Sequence, residues 1–341
     1  MPGYEPALNR LTEVYEFGSN PGALRMFTYV PARSKSALVV VLHGAIQTAA
    51  SYDLGAGWST LADRYGFALL LPQQRISNNP KRAFNWFLPG DIMRGKGEAL
   101  SIRQMIETMV IAHRIDRRRV FVTGLSAGGA MAGVMLAIYP EVFAAGAVIA
   151  GLPYGVATNV NQALDAMAHV RARSAQEWGD LVRGASQHRG PWPRISVWHG
   201  SADTVVNPEN ADQIVNQWIN VHGLSHAPTR VETADGYPRQ VWRNRVGDDV
   251  IESYTIPDMA HGAPLAIAGS GEHSGIPGPF LLEVGISSSY HIAKFWGLTK
   301  HPRTLAWIFS GWPRKWQALR HHLSCVVPGS LSPRKPGVEI D

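Results

Sequence analysis

Ser126 stands at the centre of the pattern G-L-S-A-G, which occupies positions 124–128. Four β-favouring residues at 120–123 lead into this pattern, and mostly small, helix-compatible residues at 130–136 follow it. A strand, a sharp turn and a helix in this order are the setting of a nucleophile elbow, which presents a serine hydroxyl at the carboxyl edge of a sheet. The pattern predicts that Ser126 is a nucleophile, and a tight structural turn is the alternative.

A serine at such a turn needs a base to accept its proton and an acid to orient that base. Asp203 follows the apolar, strand-like run 195–200, and His261 follows a second such run at 250–256. Because both come just after strands, we predict that they complete a triad with Ser126. Asp258 is a rival acid, but it would need a cramped loop to reach the histidine ring. The competing interpretations are a turn or capping role for Asp203 and a surface-loop role for His261.

The remaining requirement is an oxyanion hole, for which the turn after a buried strand is suited. The apolar run 37–42 is followed directly by His43-Gly44-Ala45. Such a turn places a backbone N–H opposite the one after the nucleophile, so we predict donors at Ala45 and Ala127. His43 itself is interpreted as a buried structural histidine. The sequence has neither H-E-x-x-H nor a paired cysteine spacing, so no metal and no cofactor are expected.

Apolar, strand-like runs alternate with helical patterns along the chain. Helices are predicted over 52–65, 97–114, 126–139 and 207–222. This alternation is typical of an α/β fold with a mainly parallel central sheet and helices on both faces. The order serine, acid, histidine is that of the α/β-hydrolase fold. We therefore predict one catalytic domain over 1–299.

Composition narrows the classes of function. The chain has 341 residues, of which 45% are hydrophobic, so it can bury a full core. It contains no apolar run long enough for a transmembrane segment. The N-terminal residues lack the basic and apolar regions of a secretory signal, and a single cysteine excludes an internal disulfide. A cytoplasmic location is the expectation from these features alone.

The net charge of +6 is concentrated in 300–341, which contains seven Lys or Arg and two acidic residues and so leaves +1 for the rest. No nucleic-acid-binding motif accompanies this charge, so nucleic acid is not expected as a partner. Apolar residues between 305 and 323 recur at helical spacing, although Gly311 and Pro313 interrupt it. We expect this tail to pack on the catalytic domain and to be disordered over 326–341. Adhesion to a polymer or membrane surface and binding of a partner are the alternatives.

The segment 74–97 is the most loop-like part of the predicted catalytic domain. Turn signals flank its aromatic residues Phe84, Trp86 and Phe87. Aromatic side chains in such a loop either line a substrate pocket or plug the core beneath the loop, and the sequence does not separate the two. Trp86, together with Tyr154 after the apolar strand 147–150, is a candidate substrate-binding residue.

Several segments that carry these features occur in a characteristic order. They are H-G-A-I-Q at 43–47, F-N-W-F at 84–87, G-L-S-A-G-G-A-M at 124–131, G-L-P-Y-G at 151–155, W-H-G-x-x-D at 198–203, M-A-H-G at 259–262 and H-I-A-K-F-W-G-L at 291–298. Together they resemble the esterases of the poly(3-hydroxybutyrate) depolymerase family, relatives of feruloyl and acetylxylan esterases. The resemblance covers about residues 20 to 298. It implies an α/β-hydrolase fold, hydrolysis of carboxylic esters by Ser126, Asp203 and His261, and a location that is often extracellular.

The chain departs from many such relatives at two positions. They have cysteines where this chain has Ala45 and Ala83, so the resemblance implies that a disulfide beside the oxyanion loop has been lost as a pair. The backbone donor at Ala45 survives that change, whereas the rigidity of the loop is in question.

The function indicated is a serine esterase that acts through an acyl-enzyme. The resemblance favours polyhydroxybutyrate or short hydroxyalkanoate oligomers as substrate, with feruloyl or acetylxylan esters as the alternative. Acyl transfer to an alcohol would use the same residues. A hypothesis of another class is a non-catalytic α/β-hydrolase-fold binding protein, but such proteins usually lack a member of the triad.

Overall fold

The computed structural model describes residues 10–34, 36–268 and 274–299. The strands in this part of the chain are β1 Thr12–Val14, β2 Arg25–Tyr29, β3 Leu38–Leu42, β4 Ala68–Gln73, β5 Val120–Leu125, β6 Ala145–Ile149, β7 Arg194–Gly200, β8 Arg230–Ala234, β9 Tyr237–Arg243, β10 Asp249–Ile256, β11 Ala263–Leu265 and β12 Leu281–Glu283. The helices are α1 Ala49–Ala56, α2 Trp58–Tyr65, α3 Pro89–Ile92, α4 Gly97–His113, α5 Ala127–Ile138, α6 Val160–Ala168, α7 Ala175–Gly184, α8 Asn210–His222 and α9 Ser288–Phe295.

Ten of these strands form one sheet in the order β1-β2-β4-β3-β5-β6-β7-β10-β9-β8. The strands from β4 to β10 in that order pair in parallel. Antiparallel strands extend both edges, with β2 and β1 on one side and β9 and β8 on the other. The carboxyl ends of β3, β5, β7 and β10 therefore lie along one edge of the sheet.

Helices cover both faces of the sheet, because successive residues of a buried strand point to opposite sides. Val40 and Val122 pack into a core that includes α4, α5 and α8, whereas Val39 and Phe121 pack into another that includes α1, α2 and α9. Every residue of β3, β4, β5 and β6 is buried, and full burial of one aliphatic side chain contributes about 1.5–3 kcal/mol. The predicted α/β fold with a mainly parallel sheet is confirmed.

One predicted helix, 52–65, is wrong in its extent, because the structure has two helices there. α1 ends and α2 begins at Gly57, which has φ 74°. A Cβ at this position would lie 2.5 Å from the backbone nitrogen of Gly275. Glycine in this left-handed conformation is a common end of a helix, so Gly57 was a local signal for the break, and the close approach of Gly275 leaves no room for a side chain there.

The described residues belong to one compact unit, which spans Met1–Lys300. In the part of the chain that the structure describes, no helix has the length and apolar character needed to cross a membrane. The tail predicted for 300–341 lies outside the described residues, so the predictions for its structure and role remain predictions.

Candidate active site

Ser126 occupies a strained turn between β5 and α5. Its backbone has φ 56° and ψ −117°, a conformation that carries about 1–3 kcal/mol of strain for a residue with a side chain. Backbone hydrogen bonds hold the turn: the Ser126 N–H donates to the Ile149 carbonyl at 2.8 Å, and the Ala130 N–H donates to the Ser126 carbonyl at 2.9 Å. The strand, the turn and the helix thus occur where the sequence predicts them. The turn places Ser126 directly after the carboxyl end of β5.

The glycines on either side of Ser126 are required by close backbone contacts. A Cβ at Gly124 would lie 2.3 Å from the carbonyl oxygen of Gly128, and a Cβ at Gly128 would lie 2.2 Å from that of Leu42. Real Cβ atoms do not approach other atoms so closely. The turn can therefore seat against the end of β3 only because both positions are glycine.

Asp203 lies in the loop after β7 with a fully buried side chain. Its Oδ1 accepts hydrogen bonds from the backbone N–H groups of Val205 and Val206, at 2.8 and 2.9 Å. Its Oδ2 lies 3.0 Å from His199 Nε2 and 2.7 Å from His261 Nδ1. Burial by itself raises the pKa of Asp203, but the hydrogen bonds from His199, His261 and Val206 outweigh burial and lower this pKa well below its ordinary range. The carboxylate is ionised at neutral pH.

His261 lies in the loop after β10 and contacts Asp203 through Nδ1. Since an ionised carboxylate only accepts hydrogen bonds, Nδ1 carries the proton and Nε2 has a free lone pair in the neutral ring. The ring edge packs against Phe280, with centroids 5.8 Å apart. The rival acid Asp258 is exposed and has φ 57°, and among the described residues the carboxylate partner of His261 is Asp203. The ring is thereby oriented to accept a proton at Nε2.

Ser126 and His261 line the same cavity, which has a volume of about 410 Å³. Within the described residues Ser126 Oγ makes no hydrogen bond to His261 Nε2, as is common before a substrate draws the two together. Most of the other lining side chains are apolar: Ala45, Ile46, Leu125, Met167, Val205 and Phe280. Gln47 and Lys81 add the polar part of the wall. The cavity thus places a serine hydroxyl and an imidazole against an apolar space.

The turn that carries Ala45 is fastened by hydrogen bonds at both ends. The Gly44 N–H donates to Gln47 Oε1 at 2.8 Å, and the Ile46 N–H donates to the Lys81 carbonyl at 2.6 Å. Ala45 lines the cavity, and Ala127 is the first residue of α5, so its N–H has no acceptor within the helix. The resemblance implied a lost disulfide between positions 45 and 83. In the structure, the backbone hydrogen bond from Ile46 to Lys81 joins the same two loops.

His43 is buried beneath this turn and has both ring nitrogens occupied. Nδ1 lies 2.7 Å from the Gly44 carbonyl, and Nε2 accepts a hydrogen bond from the Gln74 N–H at 3.1 Å. Burial lowers the pKa of His43 to about 4. A neutral ring with its proton on Nδ1 satisfies both contacts, so His43 supports the turn that carries Ala45 and is not available as a second base.

The structure does not bring the two predicted substrate-binding aromatics to this cavity. Trp86 is buried in the core, where its ring meets Phe87 edge to face with centroids 5.2 Å apart. Tyr154 lines a separate cavity of about 410 Å³ beside α3 and α7. Four residues that do line the cavity were not predicted: Ile46, Met167, Val205 and Phe280. Ile46 and Val205 lie close to predicted site residues in the sequence, so this proximity could have indicated that they line the cavity. Nothing in the sequence indicates the same for Met167 and Phe280.

The sequence that builds this geometry also matches known proteins. A family model described as "Esterase PHB depolymerase" matches residues 25–237. A curated relative, poly(3-hydroxyalkanoate) depolymerase C of Paucimonas lemoignei, is 46% identical over 291 residues, covering 84% of this chain and 70% of that one. An acetylxylan esterase of Coprinopsis cinerea is 34% identical over 272 residues, covering 77% and 72%. The solved structure of an acetyl xylan esterase from Aspergillus awamori superposes with a TM-score of 0.70 at 25% identity, covering 84% of this chain and 99% of that one.

Proposed function

Since this chain belongs to the esterase PHB depolymerase family and is a carboxylic ester hydrolase, we propose that it cleaves polyhydroxybutyrate or short hydroxyalkanoate oligomers. The observation that carries the proposed chemistry is the cavity shared by Ser126 and His261. On the other side of the imidazole, Nδ1 is hydrogen-bonded to Asp203. The higher identity to a polyhydroxyalkanoate depolymerase than to an acetylxylan esterase supports the choice of polyester.

The proposed reaction begins when Ser126 Oγ attacks the ester carbonyl and His261 Nε2 accepts the serine proton. Asp203 keeps the ring oriented and stabilises the imidazolium that forms. The amide N–H groups of Ala45 and Ala127 stabilise the oxyanion. His261 then returns the proton to the departing alcohol oxygen, and a water molecule releases the acyl group from Ser126 by the same steps.

The walls of the cavity support an uncharged, largely aliphatic substrate. Ile46 and Val205 line the cavity and remain exposed to solvent at 58% and 42% of their surface. Such exposed aliphatic residues at the mouth suit a polyester backbone with methyl branches better than a hydroxyl-rich polysaccharide. The partner implied is an ester or polyester substrate.

Replacement of the proposed nucleophile tests the chemistry. We expect Ser126→Ala to lower kcat/KM for a short p-nitrophenyl ester by at least about a thousandfold, because no other group can form the acyl-enzyme. Ser77→Ala, at an exposed turn position, is the matched control and should match the wild type. A Ser126→Ala variant that keeps half of the activity would contradict the proposal.

Two other candidates are separated by different measurements. The identity to an acetylxylan esterase keeps esters of plant polysaccharide as the second substrate class, and a panel of 3-hydroxybutyrate oligomers, methyl ferulate and acetylated xylan distinguishes them. We expect the oligomers to give the highest kcat/KM. A fluorophosphonate probe should label Ser126 covalently, whereas a non-catalytic binding protein would remain unlabelled.

A further inference from the structure

We propose that His199 is a positioning residue, which holds the carboxylate of Asp203 in place for catalysis. This histidine lies at the end of β7 with a side chain only 3% exposed. Its Nε2 lies 3.0 Å from Asp203 Oδ2 and 3.1 Å from the Val206 carbonyl oxygen. The inference rests on the proposed function, because it concerns the acid of the same triad.

The two contacts of Nε2 determine the protonation of the His199 ring. A carboxylate and a carbonyl can only accept hydrogen bonds, so Nε2 carries the hydrogen and shares it between them. Nδ1 is buried, and within the described residues it has no hydrogen-bond partner. A second N–H at Nδ1 would be buried without an acceptor, which is unfavourable by roughly 1–3 kcal/mol. The ring is therefore neutral, and it acts as a hydrogen-bond donor.

The His199 N–H completes a set of four hydrogen bonds to the carboxylate of Asp203. Val205 and Val206 donate to Oδ1, while His199 and His261 donate to the same oxygen, Oδ2. A carboxylate has about four lone-pair positions, so each of them has a donor. The carboxylate is thereby fixed in rotation between its own loop and β7. His261 lies in the loop after β10, the strand that pairs with β7, and its Nδ1 donates to Oδ2, whose position the other three hydrogen bonds fix.

Sharing of Oδ2 also limits how strongly Asp203 acts on His261. Each hydrogen-bond donor partly neutralises the negative charge of the carboxylate. His199 therefore weakens the attraction between Asp203 and the imidazolium form of His261. Among the described residues, Asp212 on α8 also interacts electrostatically with His199, and burial and Glu209 raise the pKa of Asp212. Loss of the His199 donor should favour the protonated, inactive form of His261 and move the acid limb of the pH–rate profile to higher pH.

Two substitutions separate the hydrogen bond from the shape of the ring. His199→Phe keeps a ring of similar size without a donor, whereas His199→Gln carries an amide N–H near the position of Nε2. For His199→Phe we expect kcat to fall about tenfold to a hundredfold with little change in KM, and the acid limb to move up by about half to one pH unit. For His199→Gln we expect kcat within about threefold of the wild type and the acid limb restored.

A half-buried histidine outside the site provides the control. His222 on α8 also uses Nε2, which lies 3.0 Å from the Pro193 carbonyl. His222→Phe should lower the thermal stability without moving the acid limb. An acid limb that stays in place in His199→Phe, or a His199→Gln variant no better than His199→Phe, would reduce His199 to a structural residue and overturn the proposal.

The wild-type protein gives a test that does not depend on a folded variant. Nitrogen NMR of histidine-labelled protein should show His199 as a neutral ring with its hydrogen on Nε2, and a hydrogen on Nδ1 would overturn the proposal. Failure here differs from failure of the proposed function. If Ser126→Ala abolishes activity while the His199 variants match the wild type, only the role of His199 is refuted. If Ser126→Ala remains active, the proposed function itself is wrong.

Discussion

At the scale of single residues, Glu98 connects the interior of the protein to the turn that carries Ala45. This carboxyl group is buried in the first turn of α4 and accepts hydrogen bonds from the Asn85 N–H, at 2.9 Å, and from the Gln74 side chain. The Gln74 backbone in turn donates to His43, which underlies the turn of Ala45. Burial, together with the nearby Asp91, raises the pKa of Glu98 to about 8, although these hydrogen bonds act in the opposite direction.

The raised pKa of Glu98 predicts a contribution to stability that falls as pH rises. Between about pH 4.5 and pH 8 the unfolded state has lost the Glu98 proton while the folded state retains it, so each pH unit lowers the free energy of unfolding by up to about 1.4 kcal/mol. Glu98→Gln removes the titrating carboxyl group and with it this contribution to the pH dependence of stability. Denaturant unfolding at pH 5 to 8 should therefore show a less negative dependence on pH in the variant than in the wild type.

Glu107 on the same helix is the control for this measurement. Its hydrogen bond with Arg117 is the main cause that lowers the pKa of Glu107, to about 2. The stability that this pair contributes is present above about pH 4.5 and is lost only as pH falls toward 2. Glu107→Gln should leave the pH dependence between pH 5 and 8 unchanged, and an equal response of both variants would contradict the role given to Glu98.

At the scale of elements, two of the three glycines in helix α5 have opposite surroundings. A Cβ at Gly128 would lie 2.2 Å from the Leu42 carbonyl oxygen, whereas a Cβ at Gly133 would meet nothing closer than the Leu152 carbonyl oxygen at 3.8 Å. Gly133→Ala should leave activity unchanged and add up to about 1 kcal/mol of stability through helix propensity. Gly128→Ala should lower both the melting temperature and kcat/KM, because the elbow must move away from β3.

Calorimetry and esterase assays on the two variants check this contrast. Similar melting temperatures for Gly128→Ala and Gly133→Ala would show that the elbow tolerates the displacement. The comparison also separates crowding at the turn from a general effect of alanine in α5, since both substitutions lie in the same helix.

The elements also show what sequence alone could predict. The convergence of Ser126, Asp203 and His261 could be predicted because each follows an apolar run, and the carboxyl ends of parallel strands meet at one edge. The positions of Trp86 and Tyr154 could not be predicted in this way, because a loop aromatic packs inward or outward according to distant contacts. The hairpin of β8 and β9 was also missed. Its exposed and half-buried residues alternate only weakly in hydrophobicity, so they lack the continuous apolar run of the central strands.

At the scale of the whole molecule, the role of the basic segment 300–341 can be tested by deletion. The helical spacing of its apolar residues favours packing, so we expect the truncated protein to have a lower melting temperature. Activity on a soluble p-nitrophenyl ester should stay within about twofold, because no proposed catalytic residue lies in the segment.

The same deletion distinguishes the alternative role. If the segment instead holds the enzyme on an insoluble substrate, its removal should weaken sedimentation with polyhydroxybutyrate particles while the melting temperature stays the same. Anionic vesicles in place of particles separate attraction to charge from attraction to polyester. Truncated protein that matches the full chain in stability and in both binding assays would refute packing and adhesion together.

The pairing of β10 with β7 has a consequence for the protein during its own synthesis. Translation proceeds from the N-terminus, so the nascent chain acquires the proposed nucleophile at 126 first, the proposed acid at 203 next and the histidine at 261 last. The ribosome must also have produced β10 before that histidine can take its place beside β7. A chain that ends before position 261 therefore lacks the proposed base and should be unable to hydrolyse esters. We expect hydrolytic competence to appear in a single late step, when the final parallel strand joins the sheet.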